Sequence, residues 1–162
     1  MLEAVSEFAS RAGEKLRKQG SFASQVYVFA HTSPFRPPPQ FSRGVMVPLR
    51  RPTADSALLV AAAIAGMRRI YEPGYQLAKC GVMLLDLVES SLYQAELDLE
   101  PGEDRDQSHL MGTIDQLNRR FGKRTVFVGS AGVPQAHEWA MRQERRTPQY
   151  TTRLADVPIA RA

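Results

Sequence analysis

The sequence predicts an α+β fold: a small antiparallel sheet carrying two helices, followed by a small C-terminal α/β extension. Three observations lead there. Apolar residues recur at helical spacing over 2–18 and again over 53–71. Extended apolar runs at 24–33, 43–50 and 75–90 are separated by proline- and glycine-marked breaks. A further helical pattern follows an acidic interruption at 96–106. The 162 residues suit one ordinary domain with an extension, and an apolar share of 43% is enough for a core.

In the first helix Val5, Phe8, Ala9, Ala12 and Leu16 share one face, Arg11, Lys15, Arg17 and Lys18 gather on the later turns, and Gly20 supplies the stop. In "SQVYVFAHTS", Val26 and Val28 alternate with Tyr27 and Phe29, which predicts a strand covered on both faces. "PFRPPPQF" holds too many prolines for helix or strand and is a loop. "RGVMVPLR" resumes extended structure, and Pro48 marks an edge or a strand end. Thr53 is the expected N-cap of the second helix, with Val60, Ile64, Met67 and Ile70/Tyr71 as its buried stripe and Pro73-Gly74 as its end. "YQLAKCGVMLLDLVES" is a long apolar strand. The order helix, strand, strand, helix, strand is a split β-α-β-β-α-β unit without its opening strand. A ferredoxin-like sheet would place that strand centrally, beside the last, and its lack would leave backbone edges unpaired. The expectation is that the chain is the C-terminal piece of something longer.

Farther along, Leu110, Met111, Ile114, Leu117 and Phe121 fall at helical spacing up to Gly122, and "KRTVFVGSAGV" reads as a strand and turn. The remainder, with Trp139 and an arginine cluster, reads as an irregular basic tail whose aromatics dock locally. The domain boundaries follow: 1–90 for the sheet domain, 91–104 for an acidic linker, 105–162 for the C-terminal domain.

Charge is unevenly spread. Lys and Arg number 21 against 17 Asp and Glu, yet 96–106 is strongly acidic between two basic regions. Such a distribution suits a polyanion partner such as nucleic acid, although solvated faces account for an excess this small as well. Arg11, Lys15, Arg36, Arg43, Arg50, Arg51 and Lys79 are the candidate phosphate contacts around the sheet. Arg68 and Arg69 also suit a helix C-terminus.

A catalytic or metal site is hard to build here. His31, His109 and His137 lie on separate elements, and the single cysteine, Cys80, sits inside a strand. "VGSAGVP" lacks the lysine and spacing of a phosphate loop and reads as a turn. No long apolar run or signal peptide interrupts the sequence, so a cytoplasmic protein without membrane contact is expected.

"QAELDL" is different in kind. Gln94 followed by Leu97 and Leu99 can dock in an apolar cleft, and burying two leucines supplies roughly 3–6 kcal/mol before ordering costs. The plainer reading is a strand end that packs locally.

Four segments, "HTSPF" (31–35), "PTADS" (52–56), "GYQLAKCGVML" (74–84) and "TPQYTTRLADVP" (147–158), resemble in this order the C-terminal part of the UmuC-type catalytic subunit of bacterial DNA polymerase V. That enzyme is the Y-family translesion polymerase of the SOS response. The resemblance spans nearly the whole chain, and "YTTR" is its most specific part. It implies that 1–90 is a little-finger domain gripping template-primer DNA across the major groove. It implies that the linker carries a sliding-clamp peptide with Gln94, Leu97 and Leu99 as anchors, although Leu99 stands where an aromatic is often preferred. It implies a small C-terminal domain whose partners include a UmuD′-like accessory subunit and RecA. The family's metal-binding carboxylates belong to palm and fingers domains upstream, so no cofactor is expected in this chain, and any Mg belongs to a palm, here expected on a separately encoded chain or on preceding sequence. Asp86, Asp98 and Asp115 are not assigned that duty. The expected function is therefore non-catalytic DNA gripping and clamp docking. The alternative is a stand-alone interaction protein that occupies the clamp or accessory subunits without binding DNA.

Overall fold

The structure, a computed structural model, describes residues 1–92, 107–132, 139 and 147–158. Helix α1 spans Leu2–Gln19 and ends where predicted: Gly20 adopts the left-handed conformation (φ 70°) and its N–H returns to the Arg17 carbonyl. A residue with a side chain is disfavoured at that φ, so glycine both stops the helix and turns the chain into the sheet.

Strands β1 (Ser21–Thr32), β2 (Ser42–Thr53) and β3 (Leu77–Glu89) form one antiparallel sheet in the order β2-β1-β3. This arrangement corrects the ferredoxin-like expectation. The last strand pairs directly with β1 over its whole length, so no gap is left in the middle of the sheet. The reason lies in β1, whose inward Val26 and Val28 meet Val47 and Val45 on one side and Leu84 and Val82 on the other. The outer edges belong to β2 and β3, and Pro48, which cannot donate to a ladder, sits on the edge strand β2.

Helix α2 (Ser56–Ile70) crosses the same sheet face as α1. Its N-cap is Asp55 and not Thr53: Asp55 Oδ1 accepts from the Ala57 N–H at 2.7 Å, while Thr53, still the last residue of β2, accepts the Asp55 N–H at 3.0 Å. Of the predicted stripe, Val60, Met67 and Ile70 are buried and Ile64 is half-buried, with Leu59 and Ala63 more deeply buried still; Tyr71, one residue past the helix, is exposed. The core is sealed by Val5 and Ala9 of α1, Leu59, Val60, Ala63, Met67 and Ile70 of α2, and Val26, Val28 and Ala30 of β1.

The C-terminal region begins with α3 (Ser108–Phe121), ended by Gly122 as expected. The predicted strand at 123–128 does not form. Asn118 takes over the role of a neighbouring strand, donating to the Val126 carbonyl and accepting the Val126 N–H, both at 2.8 Å. A 3-10 turn at Gly129–Ala131 follows, so among the described residues the extension is helical and irregular, and "VGSAG" is a turn.

This region packs on α1, and Val128 reaches the core between the helices and the sheet. Arg17 donates to Asp115 of α3 twice, at 2.7 and 2.8 Å, and also to the Ala54 carbonyl at 2.7 Å and Ser56 Oγ at 2.9 Å. One guanidinium thus joins α1, the start of α2 and α3. Arg124 pairs with Glu7 at 2.7 Å, and Trp139 meets Phe8 of α1 edge-on at 5.6 Å. The tail aromatic therefore docks on the sheet domain.

Candidate nucleic-acid interface

The helices cover only one face of the sheet. Val45, Val47 and Leu49 of β2 and Cys80, Val82 and Leu84 of β3 point inward with Val26, Val28 and Ala30. The alternating residues point the other way: Gln25, Tyr27, Phe29 and His31 on β1, Ser42, Gly44, Met46, Pro48 and Arg50 on β2, and Lys79, Gly81, Met83 and Leu85 on β3. The expectation that both faces of β1 are covered is thus corrected, because no element lies over the second face among the described residues.

On that face three rings form a row. Tyr27 and Phe29 have centroids 6.0 Å apart at 27°, and Phe29 and His31 6.2 Å apart at 12°. Two glycines make room for them. A Cβ at Gly44 would stand 2.6 Å from Tyr27 Cζ, and one at Gly81 would stand 2.5 Å from Phe29 Cζ. The rings therefore lean over the neighbouring strands at the positions where side chains are missing. Met46 (59% exposed) and Met83 (49%) flank the row. The rings are half-buried, leaning on one another, and the methionines are exposed; an aromatic and methionine surface with no element over it among the described residues is the feature that calls for a partner.

Cations stand at both ends. Lys79 is opposite His31 in the ladder. Arg36, in the loop joining β1 to β2, donates to Gln76 at 2.9 Å just before β3, which holds it at the same end. Arg50 is exposed beyond Pro48 at the other end. From His31 to Gln25 the sheet runs about 20 Å at ~3.4 Å per residue. Asp86 accepts from Gln25 at 2.6 Å.

The other predicted contacts are not brought together with these. Arg43 turns to Glu72, 3.2 Å away, and stacks over Phe41. Arg51 is half-buried. Arg11 and Lys15 lie on α1, across the sheet from the open face, and Arg11 sits 3.8 Å from Glu7. Gln94, Leu97 and Leu99 lie outside the described residues. Sequence reading missed the ring row, although Gly44 and Gly81, each inside a strand, were its signal.

Cys80 points into the core side, and burial pushes its thiol up from the ordinary value, so it is a poor nucleophile at neutral pH. Among the described residues no group of three or more His, Cys, Asp or Glu side chains comes together to hold a metal, and no helix is long and apolar enough to cross a membrane.

Residues 1–97 match the impB/mucB/samB family C-terminal domain, and residues 108–160 match a domain of unknown function, DUF4113. Protein ImpB of Salmonella typhimurium is 36% identical over 99% of this chain and 38% of its own length. Protein UmuC of Salmonella typhimurium strain LT2 is 34% identical over 97% of the chain and 37% of its own length. Protein MucB of Escherichia coli is 36% identical over 99% and 37%. The chain thus spans little more than a third of the length of these relatives.

Proposed function

The chain belongs to the impB/mucB/samB family by its C-terminal domain, and from that membership we propose that it is the DNA-gripping and clamp-docking region of a UmuC-like translesion polymerase acting in SOS damage tolerance in the cytoplasm. The observation that carries the reading is the bare sheet face, with its ring row and cations at both ends. A span of about 20 Å exceeds the ~12 Å width of a major groove, so Lys79 and Arg36 at one end and Arg50 at the other reach phosphates on its two walls. The rings and methionines then meet sugars and base edges between them. Contacts of this kind position the duplex and carry little sequence information, as a polymerase moving over any template requires.

The chain contributes no catalytic group in this reading. Two of its carboxylates already have partners, Asp86 in Gln25 and Asp115 in Arg17, and the metal-dependent step belongs to a palm and fingers supplied from elsewhere. The test of the site is cross-linking to blunt duplex DNA from a photoreactive benzoylphenylalanine placed at Met46 or at the exposed Ala61 of α2. Cross-links from Met46 alone are expected. Equal yield from both positions, or yield from Ala61 alone, would sink the assignment of the sheet face.

Gln94, Leu97 and Leu99 are proposed as the sliding-clamp anchors, in a peptide strengthened by tethering to DNA already held nearby. Calorimetry of the chain against the bacterial clamp is expected to give binding on the order of micromolar, lost in the Gln94→Ala/Leu97→Ala/Leu99→Ala variant. Binding retained by the variant would remove these residues from the role. The C-terminal domain is proposed to meet a UmuD′-like accessory subunit and RecA.

A further inference from the structure

We infer that the C-terminal end of α3 and the turn after it form a second nucleic-acid contact, specific for single strands and separate from the sheet face. Three cations are exposed there: Arg119, Arg120 and Lys123. The neighbouring charges are engaged with α1, Asp115 with Arg17 and Arg124 with Glu7. A helix C-terminus carries about half a negative charge, which one cation offsets, so these three leave a positive surplus.

Charge alone would be a solvated helix end. Two further observations point to a ligand. Phe121, last residue of α3, is 62% exposed between Arg120 and Lys123, with the Arg120 guanidinium 5.2 Å from its ring centroid; Phe127 is 36% exposed with Arg124 at 5.7 Å. Large rings left in water among cations, where a base can stack, are what a sequence-tolerant single-strand site uses. The turn presenting them is also held in one shape. Arg124 has a positive φ of 67°, unusual for a residue with a side chain, and is anchored at both ends of its guanidinium, to Glu7 at 2.7 Å and to the Ala131 carbonyl at 3.3 Å. Asn118 clamps both backbone groups of Val126, and Thr125 Oγ1 donates to the Gly122 carbonyl at 2.8 Å. Lys123 and Phe127 therefore project from a braced loop directly after Phe121. Bases free to stack on such rings belong to a single strand, because a duplex keeps its bases paired and stacked inside.

The test measures fluorescence anisotropy of the full chain with labelled oligothymidylate and, separately, with a blunt duplex. Phe121→Ala is expected to weaken oligothymidylate binding roughly tenfold, the loss of one stacked base. Arg119→Ala/Arg120→Ala/Lys123→Ala is expected to weaken it further and to flatten its salt dependence. Duplex binding should be unchanged by either. All four side chains are exposed, and an unaltered melting temperature confirms that the fold is kept. Arg50→Ala/Lys79→Ala, on the sheet face, should do the reverse. Oligothymidylate affinity unmoved by both α3 variants, or an equal loss on both ligands, would overturn the inference. A failed sheet-face assignment would instead appear as duplex binding insensitive to Arg50→Ala/Lys79→Ala.

Discussion

Asp115→Ala is expected to destabilise the protein by about 3 kcal/mol, the lower end of the cost of breaking a buried ion pair. The side chains of Arg17 and Asp115 are only 15% and 14% exposed, and the pairing is bidentate. Without the carboxylate, the guanidinium keeps its bonds to the Ala54 carbonyl and Ser56 Oγ but loses its counter-charge among the described residues. A loss of ~3 kcal/mol in a chain of this size corresponds to a fall in melting temperature of roughly 6–12 °C. Replacing both partners, Arg17→Met with Asp115→Leu, should recover much of the loss, because apolar groups of similar size need no solvation. Urea titration of the three proteins gives the coupling directly. A change below about 0.5 kcal/mol for Asp115→Ala would mean that the pair holds nothing together and that α3 rests on α1 by other contacts.

Much of this architecture could be read from local chemistry. Gly20 and Gly122 ended their helices where they stand in the sequence, α2 stopped at Ile70 shortly before Pro73-Gly74, and Pro48 marked an edge strand. The inner face of β1 was legible as Val26 and Val28. Its outer face was misread, since Tyr27 and Phe29 are apolar in composition whether they are covered or tiled over glycines in water. Periodicity assigns faces but not neighbours, so strand order was beyond it, and β3 took the place beside β1 that a ferredoxin-like order reserves for another strand. Thr53 and Asp55 are both good caps; the length of β2 decided between them.

Arg17 shows the other limit. Among four basic residues on the last turns of α1 nothing local distinguishes it, yet it alone faces inward to bind three elements. The candidate site followed the same division. Arg36, Arg50 and Lys79 were named from charge and do border the open face, whereas Arg11, Lys15, Arg43 and Arg51 share their chemistry but point elsewhere. Charge shows which residues are able to meet phosphate, and only the fold shows which of them share a surface.

Duplex DNA held on the open sheet face by Arg36, Arg50 and Lys79, as proposed, has a large consequence in salt. With about four phosphate contacts, affinity should fall as the 3.6 power of salt, on the order of 100-fold between 50 and 200 mM. Removing three contacts should leave an exponent near 0.9 and a loss of only ~3–4-fold over the same range, with weaker binding throughout. Each of the three side chains is exposed, so the triple alanine variant should keep its fold. Duplex affinity of the chain and of Arg36→Ala/Arg50→Ala/Lys79→Ala, measured from 50 to 200 mM salt, is the direct measurement. The account predicts a steep line for the chain and a shallow one for the variant. Two lines of equal slope and equal affinity would contradict it and place the duplex on another surface.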